Sequence, residues 1–539
     1  MDAGWTGAHR NNRQSRTHRL ARILPTGCHP ATGSRSGRIR FLGGLLLALG
    51  LAPMGAAVAE TSLHATLAEQ IAKLAGDPKL ASMRIGIRVE TLGPSPVVIY
   101  EQASDQLFKP ASNQKILTTA TGLCTLPADF KYETILARRG NDLVIIGSGD
   151  PSTGDPRLAR QADRPTDAIF HEWATRLKAG GVTRIAGDLV YDDHALDLEH
   201  VHPNWPSQFN MQSWYTAPVG GLNYYDNCVD LVITPGKQPG QAVSVTVIPD
   251  VAWIRLDNKA KTAAKGEPVI KRKGSGPLTV SVEGSVSRPS TAASPFSMAI
   301  TDPGAFFASA CRASLTGQGI QIAGHDRREQ VRIPGQPLPP NLQVVAVHES
   351  PLPEFLWRIN KSSMNMFAEA MLKTVGAYTG PGNTLRQGTL ENGRAAMNHF
   401  LASLGLPENL YAIDDGSGLS HNNRVAPVVL TTVLQHMDRH PRRELWWANL
   451  ATPGENGGTL SQRMKDIEGK VFGKTGYIGG VASLSGYVLG PDGQRYTFSI
   501  LCNDTQKIPN GATAARGLQD AICRTLATNG QRATTTADP

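Results

Sequence analysis

The sequence predicts an α/β (α+β) protein in which the two ends of the chain fold together and a β-rich middle interrupts them. Three observations carry that prediction. At 539 residues the chain exceeds one ordinary core, since domains run to roughly 100–200 residues. Helical and hairpin-like patterns occupy residues 60–140 and return over 345–528. Between them, over 141–344, short β-like runs are punctuated by Gly, Pro and Asp.

From Leu63 to Leu74 apolar residues recur at helical spacing, and "MRIGIRVETL" and "SPVVIYEQ" then alternate like the strands of a hairpin about Gly93 and Pro94. A helix follows whose apolar face is Ile116, Leu117, Ala120, Leu123 and Cys124, with Ser112 at its mouth. In the middle, "DLVIIGSGD", "GDLVYDD", "VDLVITPG", "AVSVTVIPD" and "PLTVSVEGS" read as strands of one or two accessory domains. One helix, "DAIFHEWATRL", is stopped there by Gly180 and Gly181. Helical periods resume at Phe355, Leu356 and Ile359, break at "NKSSMN", and continue at Met366, Phe367, Ala370 and Met371. "VASLSGYVL", "GPDG" and "QRYTFSIL" make a second hairpin and "ATAARGLQDAICRTLA" a closing helix. Residues 529–539 make a polar tail expected to be disordered.

The formal charge of +9 invites a nucleic-acid partner, but its distribution argues against one. Residues 1–40 hold eight Arg and one acid, Asp2, so residues 41–539 carry only +2. Residues 1–59 read as a leader, with a basic n-region, an apolar run from Phe41 and Ala57-Val58-Ala59 before Glu60, the pattern of a secretory signal peptide. A membrane anchor is the rival reading. As a helix, residues 41–59 reach about 28 Å, just short of the roughly 30 Å hydrocarbon core, and the glycines, Pro53 and the cleavage-like end favour removal. The long n-region suggests a translation start downstream of Met1. No other stretch is long and apolar enough to span a bilayer, so the mature chain is expected to be exported, with at most peripheral membrane association. Of six cysteines, Cys28 lies in the leader. The other five, an odd number, show no metal-ligand spacing; Cys228–Cys311 and Cys502–Cys523 are the pairings that export permits, and buried free thiols are the alternative.

Three short motifs bear chemistry. "SNQK" (Ser112–Lys115) is the chain's one S-x-x-K, "SMN" (Ser363–Asn365) lies in the break between two helical stretches, and "KTG" (Lys474–Gly476) precedes the second hairpin. Each has an innocent reading. Ser112 is a natural helix cap, Ser363 and Asn365 suit a helix start, Lys474 suits a solvated strand end, Gly476 suits a bulge, and Ser420-His421-Asn422 is a rival S-x-N. Together, in this order, they form the signature of serine acyltransferases of the penicillin-binding and β-lactamase type. A Ser hydroxyl needs an adjacent base, and Lys115, one turn on, shares a face with Ser112. To act as that base Lys115 must be neutral, so its pKa must fall from about 10.4 towards roughly 7–8 through burial and nearby positive charge, which Lys474 offers. Ser363 is placed to relay a proton to the leaving amine, and Asn365 to hold Lys115 and the substrate. The backbone N–H groups of Ser112 and Tyr477 are candidates for an oxyanion hole. Lys474 and Thr475 suit a terminal carboxylate.

"KSSMNMFAEAML", "AIDDGSGLSHNNRVAP", "ENGGTLSQRM" and "GKTGYIGGVASLSGY" resemble successive segments of the D-alanyl-D-alanine carboxypeptidase/endopeptidase family, the class C low-molecular-mass penicillin-binding proteins. "GSGDPS" and "APVGGLNYYDNCVDLVITPG" are similar to segments of that family's inserted domains. The resemblance implies a penicillin-binding-protein/β-lactamase-like transpeptidase domain, an antiparallel sheet flanked by helices. In the family this domain is interrupted between the first two motifs, and 251 positions separate Ser112 from Ser363 here. By motif it implies Ser112 as acylated nucleophile, Lys115 as base, Ser363 and Asn365 as second motif, and Lys474, Thr475 and Gly476 as third. The implied substrates are peptidoglycan stem peptides, the inhibitors β-lactams, and the location the periplasm or cell-wall side of the membrane.

The chain departs from the family pattern at Met364, where Asp or a small residue is more usual, and at His421, where Arg is frequent. Asp150 either approaches the stem peptide or forms a turn. A β-lactamase or esterase using the same serine is a rival function, weakened because "ENGR" and "PENL" lack the context of a deacylating Glu. A non-catalytic peptidoglycan-binding protein is another, weakened because all three motifs are intact. No metal or cofactor is expected, since the histidines are scattered and "GSGDPSTG" lacks the ending of a phosphate loop.

Overall fold

Arg84–Thr91, near the start of the chain, pairs antiparallel with Arg495–Asn503, near its end, placing Ile87 opposite Ile500 and Val89 opposite Phe498. That pairing is the centre of a five-stranded antiparallel sheet ordered Val471–Ile478, Val481–Leu489, Arg495–Asn503, Arg84–Thr91 and Val98–Gln102. The two expected hairpins are thus neighbours, because Ile85, Ile87, Val89, Leu484, Phe498 and Ile500 alternate onto one face and share a core. The Met54–Ala75 and Gly511–Ala527 helices cover that face with Leu67, Ile71, Leu518, Ile522 and Leu526.

The computed structural model describes residues 54–205, 211–274, 276–380 and 384–529. Residues 57–539 form one unit; of residues 1–56 only 54–56, the start of the Met54–Ala75 helix, are described. The expected leader lies outside the described residues up to position 53, as does the expected tail from 530. Among the described residues no helix is long and apolar enough to cross a membrane.

The Gln114–Thr125 helix belongs to a second core, to which the sheet contributes Tyr487 and Leu501. It is buried all round from Gln114 to Leu123, not along one stripe as its apolar pattern predicts. Its polar residues turn their bonds inward: Thr119 Oγ1 donates to Lys115 O at 2.6 Å, and Thr118 Oγ1 to Gly416 O at 2.6 Å. Helices Leu352–Asn360, Asn365–Tyr378, Leu390–Ser403 and Pro427–Arg439 pack around it through Phe355, Phe367, Met371, Met397, Val429 and Val433. The chain break expected at "NKSSMN" separates the first two of these helices.

The middle of the chain holds a mixed five-stranded sheet, ordered Asp326–Arg328, Leu189–Asp192, Asp142–Ile146, Lys131–Arg139 and Gln343–Pro351, and smaller sheets. Lys131–Arg139 and Gln343–Pro351 pair with each other, so the strands of this region run past 141–344 at both ends. The one expected helix is Ala168–Ala179; the short helix Pro156–Gln161 went unpredicted, and so did Pro303–Gly317. Its buried face is built from Phe306, Phe307, Ala310, Cys311 and Leu315, and Asp302 caps it by accepting from Ala305 N at 3.0 Å.

Neither expected disulfide forms: Cys124, Cys228, Cys311, Cys502 and Cys523 are free. Cys228 and Cys311 belong to different core clusters; Cys502 and Cys523 share one but remain separate small apolar side chains within it.

Candidate active site

Ser112 sits in a short 3₁₀ turn, Ala111–Asn113, that leads into the Gln114–Thr125 helix. It is not the helix cap. Asn113 holds that position, and no side chain caps the helix through a hydrogen bond. Ser112 Oγ instead accepts from Lys115 Nζ at 3.0 Å. The turn is held open by Ala111, whose φ of 47° is left-handed, and by Gly418, whose own φ is 84° and whose added Cβ would lie 1.8 Å from Ala111 O.

Lys115 is fully buried, and its Nζ also reaches Asn365 Oδ1 and Ser417 O, both at 2.7 Å. Those two oxygens can only accept hydrogen bonds, and Asn365 is fixed in that sense because its Nδ2 donates to Tyr215 O at 2.8 Å. A neutral amine therefore gives both hydrogens to Asn365 and Ser417 and keeps its lone pair for the Ser112 hydroxyl. Burial lowers the Lys115 pKa to about 7, against the opposing pull of Asp415 and Glu369. Charge from Lys474, the other expected cause, acts in the reverse sense: burial first, and then Lys115, push Lys474 well below the usual lysine range.

Lys474 Nζ donates to Ser363 Oγ at 2.9 Å and to Thr475 O at 2.8 Å. Ser363 has a left-handed φ of 62°, sparsely populated for a serine, at the break between its two helices. Asn113 ties the first and third motifs together. Its Nδ2 donates to Lys474 O at 2.7 Å, and its Oδ1 accepts from Ser485 Oγ at 2.6 Å.

Lys474, Thr475, Gly476 and Tyr477 lie in the edge strand Val471–Ile478, within regular pairing to Val481–Leu489, so Gly476 is not at a bulge. Its role is close approach. A Cβ there would meet Ser483 Oγ at 2.1 Å and Pro110 O and Ser112 N at 2.9 Å each. The strand therefore runs directly past the Ser112 N–H. Tyr477 is 57 % exposed, and the Arg516 guanidinium lies 5.0 Å over its ring.

Sequence reasoning missed a supporting layer. Glu369 accepts from Gly416 N at 3.1 Å and Ser417 N at 2.8 Å, and burial together with Asp415 raises its pKa to about 7. Asp415 accepts from Gly418 N, Ser420 N, Asn423 Nδ2 and Trp205 Nε1 at 2.6–2.9 Å. These bonds shape the "DDGSGLS" loop so that Ser417 O faces Lys115. The Asp-Gly-Ser-Gly run signals a tight loop in sequence but not where its carbonyl points. The rival Ser420-His421-Asn422 is spent inside this loop, with Ser420 Oγ on Asp414 and Asn422 N on Ser420 Oγ. Arg424 lies three residues beyond His421, but its guanidinium donates to the backbone oxygens of His421 and Asn423. Asp150 is buried and accepts from Ser152 N, Ser152 Oγ, Thr153 Oγ1 and Ser350 Oγ, the bonds of a turn former.

Three comparisons bear on this arrangement. Residues 67–528 match the D-Ala-D-Ala carboxypeptidase 3 (S13) family. A D-alanyl-D-alanine carboxypeptidase of Actinomadura sp. (strain R39) is 30% identical over 485 residues, 86% of this chain and 84% of the relative. The D-alanyl-D-alanine carboxypeptidase DacB of Haemophilus influenzae is 26% identical over 424 residues, covering 75% and 82%. In fold, the chain is similar to the crystal structure of penicillin binding protein 4 (dacB) from Haemophilus influenzae. The TM-score is 0.69 at 22% identity, over 85% of this chain and 99% of that one. With a match across nearly its whole described length, the chain belongs to the D-Ala-D-Ala carboxypeptidase 3 (S13) family of serine peptidases.

Proposed function

We propose that the chain is an exported DD-peptidase of peptidoglycan stem peptides that works through an acyl-Ser112 intermediate. The observation that carries the proposal is the three-way environment of Lys115 Nζ, which leaves a lone pair for Ser112 and nowhere else. Neutral Lys115 takes the Ser112 proton as Oγ attacks the carbonyl carbon of the penultimate D-Ala. The oxyanion is received by the N–H groups of Ser112 and Tyr477, brought together by the close pass of Gly476. The C–N bond then breaks, and the departing amine takes a proton through Ser363, whose Oγ is held by Lys474. Water hydrolyses the acyl ester and regenerates Ser112.

Recognition follows from the same strand. Burial and Lys115 hold Lys474 well below the usual lysine range, an incoming carboxylate favours its cationic form, and Thr475 adds a hydroxyl. This suits the free carboxylate of a terminal D-Ala, or the corresponding position of a D-Ala cross-link. β-Lactams, which present a strained amide next to a carboxylate, acylate the same serine.

The test is labelling of the purified chain with fluorescent penicillin alongside Ser112→Ala, with D-Ala release measured from a pentapeptide. Stable label on the wild type, none on the variant, and D-Ala release support the reading. An unlabelled wild type or rapid turnover of the label rejects it, the latter in favour of a β-lactamase.

A further inference from the structure

Behind the second motif lies a cleft of about 190 Å³ that no part of the catalytic scheme uses. It shares a backbone with the active site. Ser363 faces Lys474, while its neighbours Ser362 and Met364 line the cleft; Tyr215 O receives Asn365, while its neighbour Trp214, 44% exposed, stands at the cleft mouth.

The cleft is built of unspent donors. Arg358 is 1% exposed, and Arg358 Nε and Nη2 are paired with Asp155 Oδ2 at 2.6 Å and Asp226 Oδ2 at 2.7 Å. Its Nη1, also buried, has no hydrogen-bond partner among the described residues, and neither has Ser362 Oγ. A buried guanidinium N–H without an acceptor is costly, so a pocket presenting one favours an acceptor from outside. At the mouth the short Pro156–Gln161 helix presents Arg157 and Arg160 one turn apart, and neither guanidinium makes a hydrogen bond or ion pair among the described residues. Two acids line the cleft, and of these Asp226, together with Asp155, acts electrostatically on Arg157. Asp226 gives Oδ2 to Arg358 and leaves its buried Oδ1 without a partner among the described residues, Asp230 accepts from Tyr225 Oη at 3.1 Å and from Ser297 Oγ, and burial pushes both carboxyls towards the neutral form, in which Asp226 too can donate to an incoming carboxylate.

We propose that this cleft binds a carboxylate of a peptidoglycan stem peptide outside the one being cleaved, with Arg157 and Arg160 at the mouth, Arg358 Nη1 and Ser362 on the floor and Trp214 as the apolar wall. Carboxylate oxygens supply the acceptors that all four polar groups lack, and guanidinium forks match them in pairs. The location gives the binding a consequence: a strand seated here braces the 362–364 segment from behind while Ser112 works on its neighbour. The identity of the polymer rests on the function proposed above; the site itself rests on its own geometry.

The probe is N-acetylmuramyl-L-Ala-D-Glu-diaminopimelate, which carries free carboxylates but no D-Ala-D-Ala. It is titrated by calorimetry into the full chain with Ser112 blocked by penicillin. Saturable one-to-one binding is expected, weakened at least tenfold by the double substitution Arg157→Gln and Arg160→Gln and by Trp214→Ala, with circular dichroism checking that each variant is folded. Absence of saturable binding to the blocked wild type, or binding that survives all three substitutions, overturns the proposal. So does a site that takes inorganic phosphate but not the muramyl tripeptide. If penicillin does not label Ser112, the catalytic reading fails, and the same titration on Ser112→Ala still tests the cleft.

Discussion

Lys115 Nζ stands 3.0 Å from Ser112 Oγ, and its two shorter contacts, Asn365 Oδ1 and Ser417 O, are oxygens that cannot donate back. The pair is therefore arranged for a proton to move from Ser112 to Lys115. Lys115→Met keeps the length and apolar volume but removes the base, and the penicillin acylation rate is expected to fall by about 10²–10⁴-fold. A variant labelled at the wild-type rate would place the base elsewhere.

The acylation rate should depend on pH through this lysine. With its pKa lowered to about 7, Lys115 is protonated and inactive below that value and neutral above it. The rate constant is expected to climb about tenfold per pH unit on the acid side and to level off above neutrality. Asn365→Asp places a carboxylate beside Nζ, favours the ammonium, and should move the midpoint to higher pH. Stopped-flow labelling across pH for both proteins checks the direction.

Gly476 should tolerate no side chain. A Cβ at 2.9 Å from Ser112 N and 2.1 Å from Ser483 Oγ forces the edge strand away from the oxyanion site. Gly476→Ala is expected to lower acylation by about 10²–10³-fold, the cost of one oxyanion donor, with a smaller fall in stability of about 1–3 kcal/mol from the displaced backbone. A loss of stability matching the loss of rate would point to a folding defect instead.

Arg358 joins parts of the chain more than 100 residues apart, through Asp155 and Asp226. Arg358→Met leaves the buried Asp155 carboxylate without its cation, and destabilisation of about 3–5 kcal/mol is expected. Thermal or urea unfolding monitored by circular dichroism measures it, and a change below about 1 kcal/mol would show the pair to be dispensable.

All five cysteines from Cys124 onward should titrate as thiols in denaturant without reductant. A lower count would reveal a disulfide.

Much of this molecule is legible along the chain. The alternation of "MRIGIRVETL" and "QRYTFSIL" and the helical spacing of Ile116, Leu117, Ala120 and Leu123 are local patterns, and each becomes the element it implies. The residue types at Ser112, Lys115, Ser363, Asn365 and Lys474 are also legible, because the capacity to act as nucleophile, base or carboxylate-binding cation is a property of a side chain. Other features are not local. The Pro303–Gly317 helix escaped because a short run of Phe, Ala and Cys reads as strand or helix until its partners are known. Ser417 O, Glu369 and Asp415 escaped because a backbone carbonyl has no residue identity and a buried acid looks in sequence like a surface one.

The sequence by itself determined the alternating and helical segments and the residue types of the three motifs proposed to act in catalysis. Only the tertiary structure decided that Lys115 is stripped of water, which groups spend its hydrogens, and that Ser112 opens a turn without capping a helix. The reason is physical. Periodicity is set by neighbours a few positions apart, whereas desolvation and hydrogen-bond direction are set by contacts such as Lys115 with Asn365 and Ser417, 250 and 302 positions away.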